Sequence, residues 1–365
     1  MDEPFTRTLI TEDGSLYRGQ PFGGSSQKVL ELVFNTSIAG YQEIVSDPSY
    51  KEQCVVMTYP LIGNYGLADD DYESPVPFAG ALAVREYNGL PSNFRSSKPL
   101  GKLMEEFDVT GISGIDTRKL TRSIRDLGSR RCLITDKPLT AAEGVEIIKN
   151  TPLPRSQVKD VSPSSVKSFG SPDASFRVAV IDCGMKENIK RSLTARDALV
   201  TCFPYDADHR EILASRPDGI LISNGPGDPR DIPVTADTVK ALAGRLPMLG
   251  ICLGHQIVSL AMGASIYKLK FGHRGGNHPV KNLLTGRIEI TSQNHSYAVE
   301  KTGLSKAGLT LTHVNLLDGT VEGAAMPRQK IITVQYHPES APGPEDSGYV
   351  FDEFFKMMEE GGKHA

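Results

Sequence analysis

The spacing of apolar and polar positions changes character partway along the chain. Over the first 150 residues, short β-type runs are separated by turn residues. TRTLI, EDG and SLYRG predict a hairpin, and VLELVFN, CVVMTYP and ALAVRE follow as further strands. Two helical patterns come next, at 100–107 and 116–127, the second opened by Asp116 as its N-cap. This part of the chain is mixed α and β.

From residue 176 the rhythm lengthens. RVAVID reads as a buried strand and MKENIKRSLTARD as a helix; ALVTCFP is a second strand, with a helix near 208–215. DGILIS is a third strand, ended by NGPGDP, and a helix near 234–244 precedes the strand PMLGI. Strands alternating with crossover helices imply an α/β unit with an open, mostly parallel sheet, helices on both faces and ligands at the carboxyl ends of strands. Between the two rhythms lies TPLPRSQVKDVSPSSVKSFGSPDAS, rich in Pro, Ser and Lys, which reads as an at least partly extended linker. The expected organisation is a domain over 1–150, a linker over 151–175 and a second domain over 176–365, and a chain of 365 residues is long enough for two cores.

Composition narrows the function classes. Apolar residues at 39% and charged residues at 23% are ordinary for a soluble globular protein, and a formal charge of −4 argues against a broad nucleic-acid surface. The local exception is Arg118 to Arg131, where Arg118, Lys119, Arg122, Arg125, Arg130 and Arg131 outnumber Asp116 and Asp126; it reads as a solvated helix face or an interface. Five scattered cysteines, none in a CxxC pair, favour reduced thiols over a disulfide or zinc framework. No basic leader with an apolar core opens the chain, and no apolar run reaches ~18 residues. The expectation is a cytoplasmic protein that binds neither membrane nor nucleic acid.

The chemistry concentrates at GICLGHQ, residues 250–256, which follows an apolar run and opens a helix. Gly250 and Gly254 lack the Cβ that would clash in a sharp strand-to-helix turn, so Cys252 can project from the sheet as a nucleophile elbow with sulfur in place of the serine oxygen. The helix amino end also favours a thiolate there. On the other side, most free cysteines are small buried hydrophobes. The carboxyl-terminal strand KIITVQY decides between these readings. It runs directly into His337, Pro338 and Glu339, supplying a base for the thiol and a carboxylate to orient the imidazole.

With these residues the sequence resembles the class I, or triad-type, glutamine amidotransferases. FNTSIAGYQEIVSDPSY at 34–50, IDTRKLTRSIRDLG at 115–128, ISNGPGDP at 222–229, KFGHRGGNHPV at 270–280 and SQNHSYAV at 292–299 extend the likeness over nearly the whole chain to one family, the small subunits of glutamine-dependent carbamoyl-phosphate synthase. The resemblance implies a triad of Cys252, His337 and Glu339 hydrolysing glutamine through a thioester. It carries glutamine binding onto Ser49, Gly225, Gly227, Leu253, Gln256, Asn294, Ser296 and Tyr297, with Ser49 reaching the substrate from the amino-terminal domain. The backbone N–H of Leu253 and one from Gly225 or Gly227 would form the oxyanion hole.

Three features test that reading. The family usually has glycine and then an aromatic after Asn-His where this chain has Ser296 and Tyr297, and a serine is strained there if the position needs a positive φ. Cys183 in IDCGMKENI also ends a strand, but no matching histidine follows it, and it reads as structural; Lys186 and Asn188 fit the family pattern without an assigned role. His273, Arg274 and His278 look like a metal cluster, yet the glycines around them suggest a solvated loop, and the resemblance implies no metal or other cofactor in this chain. The chain has no GxxxxGK[ST] sequence and no other recognisable ATP-binding motif. The implied partner is therefore a separate, larger synthetase subunit using ATP, Mg²⁺ and bicarbonate to make carbamoyl phosphate for arginine and pyrimidine synthesis. Two alternatives stand beside this: an amidotransferase subunit for a different acceptor synthase, and a catalytically silent regulatory subunit.

Overall fold

The computed structural model describes residues 7–152, 154–155 and 157–360. The chain divides into two compact units. One holds residues up to Pro154 together with Lys270–Arg274; the other holds Arg155–Leu269 and Gly275 onward.

The first unit is built on a closed barrel of seven strands. Around it run Arg7–Thr11, Leu16–Gly23, Thr110–Ser113, Ala81–Ala83, Gln53–Met57, Lys28–Asn35 and Arg130–Thr135, which pairs back onto the first. The expected hairpin is present over its described residues, with Leu9 opposite Tyr17. Alternation explains why these short strands bury both faces: Leu30, Leu32, Cys54, Val56, Ala81 and Ala83 enter one core, while Val33, Val55, Met57 and Leu82 enter another with Leu100, Leu103 and Met104. Closure was not legible in the sequence, because Thr110–Ser113 has four residues and Arg130–Thr135 opens with two arginines.

The helix Thr117–Leu127 buries Leu120 and Ile124, and Asp116 caps it by accepting from the Lys119 N–H at 2.9 Å. Its basic side chains are exposed as expected. Arg130 departs from that expectation: it is buried in a strand, 3.2 Å from Asp13 and hydrogen-bonded to Ser123.

The second unit carries a ten-stranded sheet. Its centre is parallel, in the order Ala198–Pro204, Phe176–Asp182, Gly219–Ile222, Met248–Ile251 and Ile331–Val334. Alternate residues of one strand face opposite cores. Val178 and Val180 pack with Phe351 and Phe354 of helix Tyr349–Glu360, whereas Ala179 and Ile181 belong to the core of Ile257 and Val258 from helix Leu253–Ala261. The expected α/β sheet with helices on both faces is present, continued on one side by the antiparallel strands Val321–Met326, Thr310–Asn315, Ile266–Asn282 and Ile288–Val299.

Two expectations change. The stretch 151–175 contains a helix, Gln157–Val161, and a strand, Lys167–Phe169, that pairs antiparallel with Ala198–Pro204, so it is partly folded. KFGHRGGNHPV is no solvated loop: it lies within the strand Ile266–Asn282, with His273 and Arg274 buried. Gly272 and Gly275 take positive φ (72° and 146°) inside this strand, a backbone that composition alone reads as a turn.

Candidate active site

The position of Cys252, the candidate nucleophile, follows from sheet order. Met248–Ile251 lies between the parallel strands Gly219–Ile222 and Ile331–Val334, and the helix Leu253–Ala261 begins one residue after it ends. Cys252 makes the whole turn, with φ 53° and ψ −103°, a conformation that a residue bearing a Cβ adopts only under constraint. The glycines on either side contribute space. A Cβ on Gly254 would stand 2.1 Å from the Ile222 carbonyl oxygen, and one on Gly250 2.8 Å from that of Gly254. Helix and strand can approach closely enough to form the elbow only without those atoms.

The Cys252 N–H donates to the Val334 carbonyl at 2.9 Å. Three residues beyond Val334 stands His337, so the 85 residues separating the two in sequence collapse to one inter-strand step. The His337 N–H is fixed by the Ser292 carbonyl at 2.9 Å. Its Nδ1–H donates to Glu339 Oε1 at 2.6 Å, which leaves Nε2 without a conventional hydrogen bond and turned to the Cys252 side of the ring. The Cys252 thiol, also buried, donates to the Asn294 carbonyl at 3.5 Å.

Electrostatics bind this trio to a fourth residue. Burial opposes charge on His337, but Glu339 and then Cys252 outweigh it and raise the imidazole to about 10. Burial likewise opposes charge on Glu339, yet Lys186 first and His337 second hold the carboxyl well below its ordinary value. Lys186 is itself buried; its Nζ donates to Glu339 Oε1 at 3.0 Å and to the Ser340 carbonyl at 2.6 Å. Asn188 Nδ2 donates to the Glu339 carbonyl. These two roles were missing from the sequence reading. The available signal was a lysine just past a strand's carboxyl end, which only topology brings to the histidine.

The turn NGPGDP follows Gly219–Ile222 at the same edge of the sheet. Gly225 is wedged: a Cβ would lie 2.2 Å from the Cys183 carbonyl oxygen and 2.9 Å from Leu253 Cδ2. Gly227 has φ 88°, and its Cβ would meet Gln157 Oε1 at 2.6 Å. Asn224 Oδ1 accepts from the Lys186 N–H at 3.1 Å, joining this turn to the residue that holds Glu339. Leu253, the first helical residue, has no carbonyl one turn behind it, as helix starts require.

The remaining assigned positions are distributed as follows. Gln256 Nε2 donates to the Tyr297 carbonyl at 2.9 Å and to Gln335 Oε1 at 3.0 Å, bracing the elbow helix against the strand Ile288–Val299 and the residue that follows Ile331–Val334. Tyr297 stacks under Arg230 and Lys268, its ring centre 5.7 Å and 5.9 Å from the two cationic groups. Ser296 is absent from the residues with positive φ, so replacing the usual glycine leaves no strain. Ser49 belongs to the first unit, in a short turn where Asp47 accepts from its N–H at 2.8 Å; all the other assigned residues belong to the second. Cys183 is fully buried, its thiol pushed upward by burial.

Comparison with known proteins agrees with this geometry. Residues 179–357 match the family described as glutamine amidotransferase class-I, and residues 9–134 match the carbamoyl-phosphate synthase small chain, CPSase domain. The chain is 47% identical to the carbamoyl phosphate synthase small chain of Staphylococcus epidermidis over 97% of its own length and 96% of that protein. It is 47% identical to the one from Listeria monocytogenes, covering 98% and 99%, and 47% identical to that of Fusobacterium nucleatum, covering 97% and 99%. The amino-terminal match separates this chain from amidotransferases that share only the triad unit, and with an elbow cysteine, a carboxylate-bound histidine and near-complete coverage it places the protein in the family of carbamoyl-phosphate synthase small chains, glutamine-hydrolysing amidotransferase subunits.

Proposed function

We propose that Cys252 attacks the side-chain amide of L-glutamine and that the ammonia released passes to a separate synthetase chain. The observation that carries this is the orientation of His337: Nδ1 is committed to Glu339 at 2.6 Å, which leaves Nε2 for the thiol and the reacting amide. The Cys252 thiolate adds to the amide carbon, and the negative oxygen of the tetrahedral intermediate is met by the N–H groups of Leu253 and Gly225 or Gly227. His337, as imidazolium, protonates the leaving nitrogen, and ammonia departs from a γ-glutamyl thioester. His337 is then neutral and removes a proton from water, whose oxygen attacks the thioester carbonyl; glutamate leaves and the thiolate and imidazolium return.

The glutamine contacts in this reading are Ser49, Gly225, Gly227, Leu253, Gln256, Asn294, Ser296 and Tyr297. Ammonia released into neutral water is protonated and loses its nucleophilicity, which gives the reaction a physical need for a partner. That partner is the large carbamoyl-phosphate synthase chain, which uses ATP, Mg²⁺ and bicarbonate and serves arginine and pyrimidine synthesis in the cytoplasm. Among the described residues no helix is long and apolar enough to cross a membrane.

The test is glutamate release by the purified chain, alone and with its large chain, ATP and bicarbonate. Wild type is expected to release glutamate faster with the partner and to support carbamoyl phosphate formation, while Cys252→Ser does neither. A wild-type chain that stays inert in a complex able to make carbamoyl phosphate from free ammonia is a silent subunit, and the reading fails.

A further inference from the structure

A groove of about 470 Å³ opens in the first unit, lined by Thr58, Arg118, Thr121, Arg122 and Arg125. The three arginines stand at i, i+4 and i+7 on the exposed side of helix Thr117–Leu127, opposite the buried Leu120 and Ile124. Among the described residues Arg118 and Arg122 make no ion pair or hydrogen bond, and Arg125 is paired only with its neighbour Asp126 at 2.9 Å, where both side chains are more than half exposed. Lys119 lies apart, over the ring of Tyr17. Like charges one helical turn apart repel, so this row weakens the isolated helix, and the single acidic residue of the helix, Asp126, offsets only Arg122 and Arg125 in part.

We infer that this groove is a docking surface for an acidic, extended segment of the synthetase chain, whose carboxylates pair with Arg118, Arg122 and Arg125. The inference rests on the partner-dependent function proposed above and locates part of that contact. Charge and extent argue for the occupant. The helix carries four basic side chains against one acidic, on a chain whose formal charge is −4, so the complement is a local anionic surface. The three guanidiniums span about 10 Å along the helix axis, at ~1.5 Å per residue. One phosphate-sized anion cannot reach all three; successive carboxylates on a peptide can, each with a fork of two N–H donors. Tyr59, next in sequence to Thr58, and Leu127, two residues past Arg125, are exposed and offer apolar surface.

The test uses the full chain and the large chain from the same organism, with affinity measured by calorimetry at about 50 and 300 mM salt, a range over which exposed charge pairs are progressively screened. The double variant Arg118→Glu, Arg122→Glu is expected to bind at least about tenfold more weakly and with a flatter salt dependence, because charge pairs across an interface govern both. The milder Arg122→Gln is expected to lose a few-fold, and serves if the double variant melts early. Glutamate release by the free chain should be unchanged in both. Variants that bind the large chain as wild type does, with the same salt slope, overturn the inference. A thermal shift by inorganic phosphate that these variants abolish, with complex formation intact, also overturns it and marks a small-anion site. If wild type itself does not bind the large chain, the proposed function fails and takes the docking surface with it.

Discussion

Lys186 Nζ stands 3.0 Å from Glu339 Oε1 with both side chains nearly inaccessible to solvent, so the carboxylate that accepts from His337 Nδ1 is itself held by a buried cation. Removing one partner of such a pair strands the other in a low-dielectric setting, typically at ~3–5 kcal/mol. His337 remains a second partner for Glu339, which moderates the loss. Lys186→Met is therefore expected to lower both stability and glutamine hydrolysis, with Glu339 drawing its proton at higher pH. Denaturant unfolding and a pH–rate profile check this together; unchanged values in both would show that the pair holds nothing.

The charge on His337 has a pH signature. Its folded value, about 10, lies above the ordinary 6.5, so its contribution to stability is complete below about pH 6.5 and is lost as pH rises toward 10. Glu339 is shifted the other way, so its contribution is complete above its ordinary 4.5 and is lost only in strong acid. Melting temperature should therefore fall between pH 7 and 10 more steeply in wild type than in His337→Asn. Parallel melting curves against pH would mean the imidazole is not held charged.

Gly225 is expected to tolerate no side chain. A methyl group there meets the Cys183 carbonyl at 2.2 Å, so the backbone must move away from Leu253. If Gly225 and Leu253 frame the oxyanion, Gly225→Ala should cut kcat by about 10²–10³, the usual cost of losing one such donor. Single-turnover thioester formation is the measurement, and near-normal acylation would place the oxyanion elsewhere.

Ser296→Gly provides a contrasting case. Because Ser296 does not occupy the left-handed region, glycine gains no conformational relief and adds freedom to the unfolded chain. The expected result is a loss of about 0.5–1 kcal/mol in stability with the glutamine KM little changed, because the contact proposed at this position is one the backbone makes with or without the hydroxymethyl group. A lower KM would show that the hydroxymethyl group obstructs the substrate.

Cys183→Ser separates the two strand-end cysteines. Cys183 is fully buried with its backbone N–H on Ser223 Oγ at 2.9 Å, and burial together with the neighbouring Asp182 charge disfavours its thiolate. Hydrolysis should persist within a few-fold, whereas Cys252→Ser is expected to abolish thioester formation. Trapping the acyl-enzyme with labelled glutamine distinguishes them.

The legibility of this protein follows from which signals are local. The buried parallel strands announced themselves as apolar runs such as DGILIS, and the elbow as a cysteine between glycines, because a tight turn imposes its residue types within a few positions. The barrel did not. Strands such as Thr110–Ser113 owe their place to closure between distant segments, and the buried stretch of His273 and Arg274 looked like a loop for the same reason.

The sequence by itself determined the α/β class of the second unit and singled out Cys252, His337 and Glu339 as candidate nucleophile, base and carboxylate, since each sits in a short motif whose chemistry is local. Only the tertiary structure decided that Lys186 and Asn188 secure Glu339, that Gly225 lies against Leu253, and that Arg130 is buried while Arg118 and Arg122 line an open groove. Those relationships depend on strand order and register. Inter-strand pairing brings residues tens to hundreds of positions apart to hydrogen-bond distance, and no local pattern of residue types encodes which strands become neighbours.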